Sequence, residues 1–543
     1  MKRSLDNILL KKNLNHIDLT FLITIISFLF IGIMIYDDYG ISWDEYWHRI
    51  NGFVSLNLLR EIFSLDIYPD LEHVSEFRIK DSKKYGVIFD LPMSFIEKKF
   101  LIDDFRQIFL IRHFFNFFTF LISSIFFYKL LNKRFPKIFS LIGVLFLILS
   151  PRIFAESFYN MKDLIFLSFF IISLYFAINF LTLMSYKNAL FSSFTCSLLI
   201  GIKIIGIIVP FIVLIFFVLK TLDNKIFFKA HTFKIIFYLF LLISFTIIVW
   251  PYLWNDPINN FVSTLKSFSS YPWRGSIFYF GKYLSALNLP WHYPLVWILI
   301  TTPVLYLILF FLGSVLILKT IWLRFLDLSP QKLKKNIWMN DNEMIDIIVL
   351  LIFYFTLFLV IEIDATLYNG WRHLYFIYPC LIFISIRGLN FISNNFRTKN
   401  LIIIILPFLL YTCFWMAKNH PFQFVYFNKL AGNSIAENFE LDYWGVSNKN
   451  SLTYIAENDK RQKLKIYVFS ESPYHFSLLM MKRNERQRFE FVNNIDDANY
   501  LVTNHYYQKD VPIEQNKKLL KKFNLYKEYK VDDLIINSIY KIN

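Results

Sequence analysis

The sequence predicts a polytopic α-helical membrane protein of about eleven spans, with a soluble C-terminal α/β domain. Three observations predict it. Apolar runs of about 20 residues, the length that crosses a hydrocarbon core, recur through the first 417 positions. The 543 residues are 56% hydrophobic and 20% aromatic, and mean hydropathy is +0.44. From position 418 the apolar runs shorten and strand-like and helix-like stretches alternate.

The spans fall near 18–36, 107–131, 138–150, 164–184, 188–202, 204–220, 234–252, 294–319, 345–362, 373–391 and 400–417. The first lacks a small-residue cleavage site and runs straight into Asp37, so it reads as a retained anchor and not a signal peptide. Residues 188–220 fit one bent helix or two, since Gly201, Gly206 and Pro210 allow either. The net charge of +16 does not point to nucleic acid. Lys and Arg sit mainly in short loops: "MKR" and "KK", "NKRFPK", Lys220 to Lys234, Arg324 to Lys335, and Arg397 with Lys399. Basic loops mark the cytoplasmic side. The N-terminus is then cytoplasmic, and loops 37–106, 151–163, 253–293 and 363–372 face outward, as does the C-terminal tail. Cys196, Cys380 and Cys413 all lie in apolar segments and read as small buried residues, with no disulfide and no metal cluster.

The chain thus divides into a membrane domain, 1–417, with a long first outer loop, 37–106, and a soluble domain, 418–543. In the tail "LKIYVF", "FEFV" and "NYLVTN" read as strands and "NSLTYIAEN" as a helix. The end reads as a hairpin turning at the Asp532-Asp533 pair. No Gly-rich phosphate loop and no internal repeat is evident.

Acids gather where the chain leaves the first span. "SWDE" is a capping box: Ser42 caps a helix beginning at Trp43, Glu45 reaches back, and Ile41 and Tyr46 are spaced as a hydrophobic staple. Glu45 and Arg49 lie four apart and can pair on the helix surface. Asp44 is not used by the box. It sits in the first turn, where the helix dipole favours a carboxylate. Asp37 and Asp38 read as solvated acids. "SPRIFAESFYNMKDLIF" carries Arg152, Glu156, Lys162 and Asp163, and Asp163 opens the next span, where a carboxylate is costly without a cation, water or ligand. Cations stand in apolar surroundings at Lys203 ("GIKIIGIIVP"), Arg372 ("GWRHLYFIYP") and Arg112 ("FLIRHFF"). Outward loops therefore supply acids and spans supply cations toward the same face. That arrangement suits an anionic lipid headgroup arriving laterally and a hydroxyl acceptor arriving from outside. The cations would hold the phosphate, and a carboxylate would take the hydroxyl proton.

These motifs resemble the C-type (GT-C) membrane glycosyltransferase superfamily, and within it the protein O-mannosyltransferases and lipid A aminoarabinose transferases. The resemblance rests on "WDEYWH", "FYNMKDLIF", "GIKIIGIIVP" and "WRHLYFIYP". The family usually has Gly directly after the Lys, and "KIIG" departs from that. "SPRIFAESFYNMKD", "LPWHYP" with "TTP", "YFNKLAG" and "ELDYWG" resemble an uncharacterised bacterial branch. The resemblance implies a bacterial inner-membrane enzyme with its soluble domain in the periplasm. It implies an inverting transfer of a sugar from a polyprenyl-phosphate carrier to a hydroxyl of a glycan, lipid or protein, with no nucleic acid involved. Asp44 would be the base, with Asp163 and Glu45 beside it. Lys203, Arg372 and Arg112 would bind the donor phosphate. His292, Asp256 and Glu156 would touch sugar or acceptor. Some members bind a divalent cation through such acids, and hard oxygen ligands would suit Mg²⁺ or Mn²⁺. "NFELDYWGVS" reads as packing the tail onto the bundle. A lipid or glycan flippase would also place charges within spans, but along a path reaching both faces.

Overall fold

The computed structural model describes residues 16–222, 225–269, 273, 275–326, 338–506 and 522–542. The basic stretches "MKR" and "KK" and most of 324–335 lie outside them. Among the described residues nine helices are long and apolar enough to cross a membrane: His16–Ile35, Phe105–Leu131, Asp163–Leu183, Ile204–Leu222, Ile226–Val249, Val304–Arg324, Asp341–Glu362, Arg372–Ile392 and Thr398–Lys418. Two shorter helices, Lys137–Ile148 and Tyr186–Ile200, share the same core. The chain is a multi-pass membrane protein.

Two spans occupy the centre. Asp163–Leu183 and Arg372–Ile392 are each buried over 78% of their apolar windows, against 11% for His16–Ile35 at the edge. Phe166 and Phe170 meet Phe376 edge to face, which fixes the two spans together one turn from Asp163 and Arg372. Elsewhere glycine permits close crossing. Val304–Leu326 passes Tyr378–Ile392 at Gly313 and Gly388, where a Cβ would fall 2.0 Å from the Ile384 carbonyl oxygen and 2.3 Å from that of Leu309. Without a hydrophobic drive between helices in lipid, such backbone approach supplies the packing.

The structure corrects three readings and decides between the two alternatives for 188–220. The span placed at 294–319 is two helices, Tyr293–Thr301 and Val304–Leu326. Pro303 has no N–H to continue the ladder, and Asn428 Nδ2 donates to the freed Leu299 and Thr302 carbonyls, both at 2.6 Å. Segment 151–163 is not an open loop. Pro151–Tyr159 is a buried helix, bent 63° from Lys137–Ile148. Segment 188–220 is two elements, broken at Gly201–Lys203, where Lys203 adopts an extended backbone. Cys413 is exposed on the outside of the bundle, because Thr398–Lys418 turns that face away from its neighbours.

The tail forms a five-stranded sheet in the order β4-β3-β5-β7-β6. Its strands are β3 (Leu464–Val468), β4 (Phe489–Phe491), β5 (Tyr500–Thr503), β6 (Phe523–Val531) and β7 (Leu534–Ile542); β1 (Ser276–Tyr279) and β2 (Lys282–Ser285) make a separate hairpin. Strand β3 runs parallel to β4 and β5, whereas β7 is antiparallel to β5 and β6. The β6–β7 turn at Asp532 docks on the last span, its carboxylate accepting from Trp415 Nε1 (2.8 Å) and Lys418 Nζ (3.1 Å). Phe422, Phe424, Phe439, Tyr443 and Trp444 belong to the core of the helical bundle, while Leu452, Ile455, Leu464 and Ile466 belong to the core of the sheet.

Candidate active site

Half of the predicted capping box forms. The Ser42 N–H donates to Glu45 Oε1 at 2.7 Å, and Ile41 and Tyr46 share one apolar cluster. The Ser42 hydroxyl, however, turns to the Tyr159 carbonyl at 3.4 Å, and the helix begins at Glu45 rather than Trp43. Asp44 takes the cap position without bonding the helix. Its carboxylate is free to face the bundle.

There it meets Arg372, which opens a central span. Arg372 Nη1 donates to Asp44 Oδ2 at 2.6 Å and lies 3.8 Å from Asp163 Oδ2. Lys203 Nζ, at the helix break, pairs with Asp163 Oδ1. Four residues spread over 329 positions (44 to 372) therefore form one alternating string of charges, Asp44, Arg372, Asp163, Lys203. Its members differ in access. The Asp44 side chain is 39% exposed, whereas Asp163 and Arg372 are buried. Burial pushes the Asp44 pKa up, but Arg372 and then His48 outweigh it, and the carboxyl sits below its ordinary value. Asp44 is the member of the string that remains open to solvent.

Aromatic rings wall the cation. The Arg372 guanidinium lies 4.4 Å from the centroid of Trp444 and 5.0 Å from that of Tyr368. Arg372 Nε and Trp444 Nε1 are buried without hydrogen-bond partners among the described residues. Buried donors of this kind call for an acceptor, and a phosphate oxygen beside Arg372 would satisfy that need. Trp444 comes from "ELDYWG", which the sequence assigns to packing; the Trp-Gly pair was the only signal, and it does not name Arg372. Asn160 was also missed. Its Nδ2 bridges Glu156 Oε2 (2.7 Å) and Asp163 Oδ2 (3.1 Å), and its side-chain oxygen accepts from the Asp163 N–H at 2.9 Å. Lys162, drawn down to about 8 by burial, donates to the Gly86 carbonyl at 2.7 Å and so ties the first outer loop to the site.

Of the other predicted site residues, Glu156 joins the string through Asn160 and the rest sit elsewhere. Glu45 is fully buried, with Oε2 at 2.9 Å from His113 Nε2. Arg49 does not pair with Glu45 on the surface; it is buried against Glu97 at 2.5 Å, because its helix packs on Asp90–Lys99. Arg112 is buried beside Asp90 (3.8 Å) and donates to Ser94 Oγ (3.2 Å), with Arg49 and Glu97 beyond. Glu156 is buried and also accepts from Tyr375 at 2.6 Å. His292 Nδ1 lies 2.8 Å from Tyr279 Oη. Asp256 caps its own following helix through Asn259 (3.2 Å to the N–H). Asp38, still half-exposed, also meets His420 at 2.8 Å.

A divalent cation of the Mg²⁺ or Mn²⁺ class needs a shell of open oxygen ligands. Among the described residues no three His, Cys, Asp or Glu side chains gather to form one. Asp163 and Asp44 are instead committed to Arg372, Lys203 and Asn160. The donor set as it stands fits cations supplied by the chain.

No protein-family model and no curated protein sequence matches this chain. Solved structures with a similar course include ArnT from Cupriavidus metallidurans in the apo state, 10% identical over 96% of this chain and 97% of that one, with a TM-score of 0.47. Another is the Archaeoglobus fulgidus oligosaccharyltransferase tethered with an acceptor peptide containing the NVT sequon, 13% identical over 96% and 74%, TM-score 0.46. A third is ArnT from Cupriavidus metallidurans bound to undecaprenyl phosphate, 11% identical over 96% and 97%, TM-score 0.40.

Proposed function

We propose that this protein is an inverting glycosyltransferase that moves a sugar from a polyprenyl-phosphate carrier to a hydroxyl acceptor. The observation that carries the reading is the string Asp44–Arg372–Asp163–Lys203, assembled from one outer loop and three helix ends at a single end of the bundle. Arg372 and Lys203 lie at the outer ends of their helices, where a headgroup phosphate resides. Its arrival gives Arg372 a second anionic partner and loosens its hold on Asp44. Asp44 then removes the acceptor proton as the acceptor oxygen bonds to the anomeric carbon on the face opposite the phosphate. The carbon–oxygen bond to phosphate breaks, and its electron pair leaves on the phosphate oxygen beside Arg372 and Lys203. Phosphate is a good leaving group, so one carboxylate suffices where glycosidases need two. Asp163 holds both cations in place, and Asn160 fixes Asp163.

The flippase reading is less well supported. The span Asp163–Leu183 carries its only charge at its first residue, and Arg372–Ile392 has its Arg residues toward its two ends. A transport path would need charges between them.

The deciding assay gives the purified protein a polyprenyl-phosphate sugar with radiolabelled glycosyl group, together with candidate hydroxyl acceptors. Wild-type protein should release polyprenyl phosphate and label the acceptor, and Asp44→Asn should not. Movement of intact donor across a liposome membrane with no cleavage would overturn the enzyme in favour of the flippase. The reading also places the site and the tail in the periplasm of a bacterial inner membrane. An Asn484→Cys variant, exposed on the tail, should then react with an impermeant thiol reagent in intact spheroplasts; labelling only after lysis would reverse the orientation.

A further inference from the structure

A second polar site lies at the opposite end of the bundle, distinct from the Asp44 centre. Arg387 is 15 residues beyond Arg372 on the same central span, which separates them by about 25 Å at the 3₁₀ and α-helical rises. Around Arg387 is a cavity of about 190 Å³, bounded among others by Arg134, Asp346, Glu343, Asn340, Thr320 and Ile317. Nothing in the proposed transfer uses it.

Its charges do not balance. Arg134 donates to both oxygens of Asp346, from Nε at 2.8 Å and Nη2 at 2.9 Å. Arg387 Nε adds a third bond to Asp346 Oδ2 at 3.2 Å. One buried carboxylate thus serves two guanidinium groups. The neighbouring acids are held mainly by other cations. Glu343 is taken by Arg324 (2.7 and 3.2 Å) and by the Met339 N–H (2.9 Å). Asp341 faces Lys220 at 4.0 Å. Among the described residues Asp346 is thus one carboxylate shared by Arg134 and Arg387, two cations against one acid.

The surplus has free donors. Arg134 Nη1 and both terminal nitrogens of Arg387 make none of these bonds, and Asn340, whose side-chain oxygen caps Asp341–Glu362 at 3.0 Å, keeps its amide group. A clamp serving only to hold three helices would need one guanidinium per carboxylate. A half-buried second one is costly unless an anion meets it. Planar guanidinium forks match phosphate oxygens, and basic pockets between spans are where lipid headgroups are held.

We propose that this cavity binds a phosphate-bearing anion through Arg387 and Arg134, either the headgroup of an anionic lipid or a soluble phosphate.

The full-length protein is reconstituted in nanodiscs of phosphatidylcholine with or without phosphatidylglycerol, and thermal unfolding and lipid retention by native mass spectrometry are measured. A parallel arm in phosphatidylcholine alone receives millimolar inorganic phosphate. Phosphatidylglycerol should raise the unfolding midpoint and be retained. Arg387→Gln should weaken retention about tenfold or more, the worth of a charge-assisted contact. Lys399→Gln, an exposed cation at the same end, should leave it unchanged. Stabilisation by inorganic phosphate to the same extent, also lost in Arg387→Gln, upholds the site and assigns it a soluble ligand. Equal losses in Arg387→Gln and Lys399→Gln would reduce the effect to diffuse surface charge and overturn the proposal. No preference for phosphatidylglycerol or phosphate in the wild-type protein overturns it whatever the variants do.

Discussion

Asp44 and Glu45 are adjacent in sequence and stand at the same helix end, yet they occupy opposite environments. Asp44 is 39% exposed on its side chain and shares Arg372 with Asp163. Glu45 is fully buried, fixed on one oxygen by the Ser42 N–H and on the other by His113. The same division holds for the regions they lead into. The pairs Glu45–His113, Arg49–Glu97 and Arg112–Asp90 lie within the packed first outer loop and the span that follows it. The string from Asp44 to Lys203 lies where four segments converge and keeps one end open. A carboxylate can serve as a base only where a substrate can reach it. A saturated, buried carboxylate holds structure.

The largest test of this contrast is Asp44→Asn against its neighbour. Asn keeps shape but cannot accept the proton, and transfer should fall by about 10²–10⁴-fold, the usual worth of a positioned base. The unfolding midpoint should hold. Glu45→Leu should do the reverse. It strands His113 and the Ser42 N–H in an apolar site, and breaking such a buried pair costs about 3–5 kcal/mol, read as a lower unfolding midpoint in detergent. If Glu45→Leu left stability intact while abolishing transfer, the two roles would be exchanged.

Arg372→Met sharpens the contrast from the cation's side. Loss of one charge-assisted phosphate contact should weaken donor use by about 1.5–3 kcal/mol, measured as kcat/KM at fixed acceptor. An unchanged donor dependence would remove Arg372 from the phosphate site.

A buried carboxylate in the tail gives a pH signature of similar size. Glu440 accepts from the Phe278 N–H (2.8 Å) and Asn369 Nδ2 (2.7 Å), joining the β1–β2 hairpin to the turn before Arg372. Burial raises it from 4.5 to about 7, against the pull of those two donors. The folded state then holds this proton more tightly than the unfolded chain. The stabilisation is complete below pH 4.5 and is lost as pH rises through about 7, on the order of 3 kcal/mol in all. Unfolding midpoints across that range should fall more steeply with rising pH in the wild type than in Glu440→Gln.

The smallest effect belongs to the ring over the cation. Trp444→Leu keeps apolar bulk and removes the cation–π contact, about 0.5–2 kcal/mol, and should weaken donor use less than Arg372→Met does.

The sequence by itself made most of the apolar spans legible, because hydropathy over a span is a local property. It also placed Asp44, Asp163 and Arg372 at helix ends, since a charge in mid-span is costly, whereas the break that puts Lys203 at one was left open. The tail's strands and the turn at Asp532 were legible for the same reason, as alternation and turn residues act over a few positions. Breaks that depend on a distant partner were not. Pro303 divides a span only because Asn428, 125 residues later, satisfies the Leu299 and Thr302 carbonyls. Nor could the sequence pair the charges. Arg49 has Glu45 one turn away yet binds Glu97, and Arg372 reaches Asp44 across 328 positions. Which acid meets which cation is settled by which helix faces pack together, and that packing alone brings Trp444 onto Arg372 and closes Glu45 off while leaving Asp44 open.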